Sequence, residues 1–364
     1  MKLDLFVQID TQSSAILQEM FSALRPPQLH LGAIFQGDAA GTAYVDSRER
    51  PRAACVLAGD ACYLAGMPAE AGFFDGVNAL LPRDRYTALF ADASISAEGL
   101  ARAAHGLYML PAQRRAALLR HPPAEEIPAP DGVDLLPIDR SLLESDAPGA
   151  DAVRDEVVDE WQTVDAFLDR GFGTVAMSVG SMVGHSIVNY IVRGACEVSV
   201  RVVAEYRRRG VGVAVAAATA REAFAQGLRE IIWHSWANNV GSIAISRRLG
   251  FADESLYTVL VNHWAAENVT DMTHGEFAAF GQEYERRFAE CSPSTSGYPY
   301  VVAATAFALA RDRQACLRNL HQAIDSGWLR SRTQLKALWP ELFEDPALPE
   351  RVPEWAALFA RLAP

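Results

Sequence analysis

One segment restricts the fold more than any other: Val200-Arg-Val-Val-Ala-Glu-Tyr-Arg207-Arg-Arg-Gly210-Val-Gly212-Val-Ala. β-branched residues end at Val203, a loop with two glycines follows, and small apolar residues then continue at helical spacing. The pattern predicts a strand running through a tight loop straight into a helix. Gly210 and Gly212 let the backbone approach a bound group closely. The unpaired N–H groups and positive dipole of a helix N-terminus form an anion site, and a pyrophosphate suits it. Arg207, Arg208 and Arg209 add positive charge. On its own the RxxGxG pattern is equally a plain strand–helix turn with a solvated arginine run. A dinucleotide fingerprint fits worse, lacking the third glycine and the ribose-binding acid.

The surrounding sequence reads as three regions. Residues 1–127 predict α+β with an antiparallel sheet: a helix over Ser13–Leu24, strands at Leu31–Phe35, Gly41–Asp46, Ala53–Leu57 and Ala61–Ala65, a helix over Gly72–Leu81 and a strand over Thr87–Ala91. Nothing in this region reads as catalytic. A proline-rich stretch from Pro122 to Pro130 reads as a linker. Residues 131–264 then alternate as β-α-β-β-β-α-β-α-β: Val133–Ile138, helix Ala152–Arg170, Gly173–Ser178, Met182–Ile191, Cys196–Val203, helix Val211–Gln226, Glu230–Ser235, helix Val240–Leu249 and a strand pair in Ser255–Val261. That order predicts an α/β domain with a mixed sheet and helices on both faces. Residues 268–364, starting near Asn268, read as helical, with a hairpin similar to a tetratricopeptide pair.

A second motif joins the first: Trp233-His-Ser-Trp-Ala-Asn-Asn239-Val-Gly-Ser242-Ile-Ala-Ile-Ser-Arg-Arg-Leu249-Gly250-Phe251. With both in this order, residues 131–264 resemble the GCN5-related N-acetyltransferase (GNAT) family. The resemblance implies acetyl-CoA as cosubstrate, held between two splayed strands. Backbone groups of Val200, Val202 and Val203 would hold the pantetheine, Arg207–Val213 (Val211 and Val213 included) the pyrophosphate, and Asn239 the pantetheine arm. Glu197 matches a frequent base of the family, with His185 and His234 as secondary candidates. The tyrosine that usually protonates the leaving thiolate is replaced by Ser246, so the acid is open between Ser246, Tyr257 and water. Cys196 reads as core. The wider layout, with Tyr44-Val-Asp46 and Pro51, is similar to the zwittermicin A resistance acetyltransferases, and residues 1–127 read as a degenerate second half.

Charge and composition narrow the function. A net charge of −12 disfavours nucleic acid and anionic membrane as partners, since both require a basic footprint. A small-molecule or peptide-like amine suits it better. Five cysteines without a CxxC pair speak against zinc or a disulfide framework, so no metal is expected. No apolar stretch reaches the ~18–20 residues of a membrane span, and no leader is apparent, which predicts a cytoplasmic protein. The leading expectation is an N-acetyltransferase acting on an amine, with antibiotic resistance or self-protection as its setting. The competing expectations are a coenzyme A-binding sensor or scaffold, and a protein N-acetyltransferase whose helical tail recruits a protein partner or a second copy.

Overall fold

The computed structural model describes residues 6–12, 15–125, 127–266, 269–290, 297–338 and 353–363; Ser13, Asn268 and Cys291 lie outside them. The elements run β1 (Val7–Ile9), α1 (Ala15–Phe21), α2 (Leu29–Gln36), β2 (Thr42–Val45), β3 (Ala53–Ala58), β4 (Ala61–Gly66), α3 (Gly72–Leu80), β5 (Ala88–Ala91), α4 (Ala97–Ala103) and β6 (Leu110–Leu119). The second region follows with β7 (Asp134–Pro137), α5 (Arg140–Leu143), α6 (Ala150–Trp161), α7 (Val164–Arg170), β8 (Gly173–Ser178), β9 (Ser181–Val192), β10 (Ala195–Val202), α8 (Val211–Ala225), β11 (Glu230–Trp236), α9 (Val240–Arg248) and β12 (Ala252–Val261). The chain closes with α10 (His274–Glu290), α11 (Tyr298–Leu309), α12 (Arg313–Asp325), α13 (Arg332–Leu338) and α14 (Pro353–Phe359).

All strands join one mixed sheet in the order β1-β2-β3-β4-β5-β12-β6-β11-β10-β9-β8-β7. Read inward from either edge, five strands of one half are followed by the last strand of the other half. Among the described residues of this sheet only β4–β5 and β10–β11 are parallel, and they occupy equivalent places. The two halves therefore repeat one topology and exchange β6 for β12 across the centre. The division read at residues 127–131 separates the chain in sequence, whereas the sheet runs through it unbroken.

Several elements differ from the sequence reading. Leu31–Phe35 is not a strand but the core of α2. Leu31, Ala33, Ile34 and Phe35 are all buried, so the run shows no polar face to reveal a helical period. Gly37, at φ 85°, ends that helix and returns its N–H to Ala33 and Ile34. The first-region sheet is not wholly antiparallel, because β5 runs parallel to β4. Helix Ala152–Arg170 is two helices, broken at Gln162 (φ 66°) and restarted by Thr163, whose hydroxyl accepts the Ala166 N–H. Ser255–Val261 belongs to one long strand rather than a pair. α4 and β6 had no counterpart in the reading.

The C-terminal helices build their own core, which takes in Tyr108 from the first half. Arg287 donates to the Met109 carbonyl at 2.8 Å, tying α10 to the start of β6. Among the described residues no helix is long and apolar enough to cross a membrane.

Candidate active site

The site begins where two strands part. β10 and β11 pair only at Ala195–Glu230, Cys196–Ile231 and Glu197–Ile232. Beyond Glu197, β10 continues against β9 alone and β11 against β6 alone, with a bulge between Cys196 and Val198. The result is a wedge with Glu197 at its apex. Backbone direction alternates along a strand, and the Val203 N–H is turned to the Val183 carbonyl of β9 (3.1 Å). The polar groups of Val198, Val200 and Val202 therefore face the wedge. Val203 does not join them: its N–H is spent on β9, and its carbonyl accepts from Tyr206 at 3.0 Å. This removes Val203 from the expected pantetheine contacts.

At the open end of the wedge, α8 starts without a side-chain cap. Its first bond runs from the Ala214 N–H to the Gly210 carbonyl (3.0 Å), so the amides of Val211, Gly212 and Val213 precede the helical ladder. Gly210 is left-handed at φ 89°, a conformation that costs most side chains 1–2 kcal/mol or so. Gly212 is needed for closeness instead. A Cβ there would sit 3.0 Å from Ile245 Cδ1 and 3.3 Å from Val202 Cγ2. Arg207 donates to the Val202 carbonyl at 3.0 Å, and Arg209 lies 5.2 Å from the Tyr206 ring centroid. Arg208 holds φ 60°. All three arginines are exposed. These residues fit a pyrophosphate: an uncapped helix start of eight or more residues, a left-handed glycine and a cationic rim.

Asn239 caps α9, its Oδ1 accepting the Ser242 N–H at 2.9 Å. Its carboxamide nitrogen, which makes no hydrogen bond among the described residues, is the part left to meet a pantetheine arm.

At the apex, Glu197 Oε1 accepts the Leu29 N–H of α2 at 2.9 Å. His234 Nε2 lies 3.7 Å from the same oxygen, and its Nδ1 lies 2.9 Å from the Tyr257 hydroxyl. His234 thus bonds Tyr257 and lies beside Glu197 without a hydrogen bond to it, its Nε2 being buried and unpartnered. Burial pushes Glu197 up to about 7, against the opposing pull of the Leu29 N–H and the Arg114 charge. Burial also holds His234 down at about 3 and lifts Tyr257 to about 12. Near neutral pH the row reads as a half-ionised carboxyl, a neutral imidazole and an intact phenol.

Ser246 stands apart from this row. It is fully buried, donates to the Ile243 carbonyl and accepts from Arg115, both at 3.0 Å. A hydroxyl enclosed in this way reaches no leaving group, so Ser246 is structural. His185 is likewise committed: buried, it bonds the buried Glu156 at 2.9 Å, which also holds the half-buried Ser199 and the exposed Arg201. Cys196 is a core residue whose thiol burial pushes up to about 12. The sequence reading missed Leu29, Arg114 and Tyr190, which approach Glu197 from α2, β6 and β9; no local motif marks them.

The equivalent place in the first half is closed. β4 and β5 stay paired to Leu64–Ala91, and the Asp92 N–H extends the ladder to the Leu64 carbonyl at 3.0 Å. The Asp92 carboxylate accepts the Gly66 N–H (3.1 Å), and Asp46 accepts that of Ala69 (3.3 Å). Two buried carboxylates thus hold loop amides at the turn that corresponds to the anion loop of the second half.

Residues 28–260 match the profile of the GNAT acetyltransferase family. The chain belongs to that family. The match starts at the head of α2, so the GNAT unit takes in most of the first half as well as residues 131–264. No curated protein matches the chain. Among solved structures it is similar to a GCN5-related N-acetyltransferase-like protein from Streptococcus suis, at 20% identity and TM-score 0.52, over 67% of this chain and 96% of that one. A GCN5-related N-acetyltransferase from Sphaerobacter thermophilus is 16% identical over 71% and 95% (TM-score 0.46). A tandem GNAT protein from the clavulanic acid biosynthesis pathway is 18% identical over 70% and 97% (TM-score 0.46). The first of these likenesses supports the GNAT fold and nothing finer.

Proposed function

We propose that this GNAT protein transfers acetyl from acetyl-CoA to a primary amine of a small or peptide-like molecule. The observation that carries the reading is Glu197: a carboxyl near 7 at the apex of a wedge whose open end is an uncapped, glycine-started helix. Acetyl-CoA supplies the acetyl group as a thioester. The Val198, Val200 and Val202 backbone holds its arm, the α8 amides with Arg207–Gly210 hold its pyrophosphate, and the Asn239 carboxamide nitrogen meets the pantetheine.

Glu197 Oε1 is anchored on Leu29, which leaves Oε2 to take a proton from the incoming ammonium. The freed lone pair forms the C–N bond as the C–S bond breaks, and the nitrogen then gives its second proton to solvent to leave the neutral amide. Tyr257, bonded to His234, gives its proton to the departing thiolate, and solvent takes the proton from the carboxyl and restores the phenol. The subfamily resemblance extends the proposal to protection against an amine-bearing antibiotic. Acetyl transfer to an amine panel, wild type against Glu197→Gln, tests it; equal rates would sink it.

A second reading rests on the Leu29 bond itself. If Glu197 serves only to hold α2, the chain is a coenzyme A-binding scaffold, and Glu197→Gln leaves its partner binding intact.

A further inference from the structure

A cavity of about 230 Å³ opens beside the apex, at the seam between the two halves. Its walls come from α2 and the turn after it (Asp38), from α6 and α7 (Trp161, Arg170) and from β9 (Asn189, Tyr190). β9 and β10 pair at Ile191–Cys196 and Val188–Val198, so Asn189 and Tyr190 together oppose Glu197 across the bulge. The cavity thus starts one cross-strand step from the proposed base.

The walls are fixed. The Trp161 indole donates to the Val188 carbonyl at 2.7 Å, and Arg170 covers its ring at 5.5 Å. Arg170 also pairs with Asp38, and Gln162 donates to the Asp38 carbonyl at 3.2 Å, closing the rim with residues from both halves. Tyr190 is bonded to Glu160 and stacked on His30 at 4.8 Å. One group is not satisfied: Asn189 Oδ1 is buried without a donor. A buried acceptor left alone costs about 1–3 kcal/mol; no hydrogen bond among the described residues holds the Asn189 side chain, so it is free to turn this oxygen to a ligand that brings an N–H or O–H, which is favoured.

We propose that this cavity receives the amine-bearing end of the acceptor, and that it selects a small aliphatic amine carrying a second hydrogen-bond donor, as in an amino alcohol or a diamine. The inference rests on the acetyltransferase reading and specifies its acceptor. The volume falls below the ~300–1,000 Å³ of drug-sized sites, so only the reacting end enters. A protein lysine, whose stem has no second donor, leaves Asn189 unpaired.

The test is calorimetric titration of 2-aminoethanol, 1,3-diaminopropane and butylamine into the full chain saturated with coenzyme A. The two donor-bearing amines should bind at least ten-fold tighter than butylamine. Asn189→Leu should erase that preference while coenzyme A affinity stays unchanged. Asn189→Asp, which keeps an acceptor, should retain the preference and serves as the arm to read should the leucine variant not fold. Equal binding of all three amines by wild type, absence of binding by any, or a preference that survives in a folded Asn189→Leu overturns the proposal. Acetyl transfer is measured separately. Preference without transfer leaves the cavity assignment standing and removes the acetyltransferase reading, whereas transfer with no preference does the reverse.

Discussion

The backbone N–H of Leu29 donates to Glu197 Oε1 across 2.9 Å, joining the first helical turn of α2 in one half to the strand apex of the other. Glu197 is therefore both the anchor of α2 and the group best placed to accept a proton. Its two oxygens divide these tasks.

That division separates rate from stability. Glu197→Gln should slow acetyl transfer about 10²–10⁴-fold, the usual worth of a general base, with coenzyme A binding unchanged. The wild-type rate should climb with pH through about 7, as the carboxyl ionises. The folded protein holds this proton more tightly than the unfolded chain, so ionisation destabilises: the cost is absent near pH 4, grows through about 7 and is constant above. Glu197→Gln should therefore raise the melting temperature at pH 8, by the equivalent of about 1–3 kcal/mol, and leave it unchanged at low pH. Thermal scans at pH 4 and 8 check both halves of this expectation.

Two hydroxyls compared side by side locate the acid. Tyr257→Phe should lower turnover by about 10²-fold and also cost about 1–3 kcal/mol, because the buried His234 loses its partner. Ser246→Ala should cost a similar amount because Arg115 loses a buried partner, with turnover preserved. Steady-state kinetics and urea unfolding of both variants decide it. Turnover lost in Ser246→Ala and kept in Tyr257→Phe would reverse the assignment.

Much of this site was legible in the sequence because it is local. A left-handed Gly210, an uncapped helix behind it and an asparagine cap at Asn239 each leave their mark within a few residues. What was not legible depends on partners distant in the chain. α2 is covered on all sides, so Leu31–Phe35 carries no period from which to read a helix. β6 contains Arg114 and Arg115, which suggest a surface segment; Arg115 is buried only because Ser246 and Glu254 await it more than a hundred residues later. The replacement of the expected tyrosine in α9 was visible as Ser246, but its proposed substitute stands on β12 and becomes apparent only once β11 lies nearby.

Coenzyme A should bind once per chain. Gly210→Glu places a bulky anion at a left-handed position against the pyrophosphate and should abolish calorimetric binding at this site. No residual binding should persist in the first half, where Asp46 and Asp92 already hold the loop amides. A stoichiometry of two, or binding that survives Gly210→Glu, would contradict the closed first half.

The exchange of β6 for β12 bears on how the chain is made. Synthesis runs from the edge strand β1 to the central β6, restarts at the opposite edge with β7 and works back inward, so the two strands at the centre of the sheet leave the ribosome at very different times. β6 emerges with neither neighbour in existence, and its flanks stay bare until β11 and then β12 arrive. Nascent chains stalled after Leu119 or after Arg248 should be cut by added protease as readily as denatured ones, and resistance should appear only once Val261 has emerged. The middle of the sheet is the last part of it to be completed, and until then neither half has a whole sheet of its own.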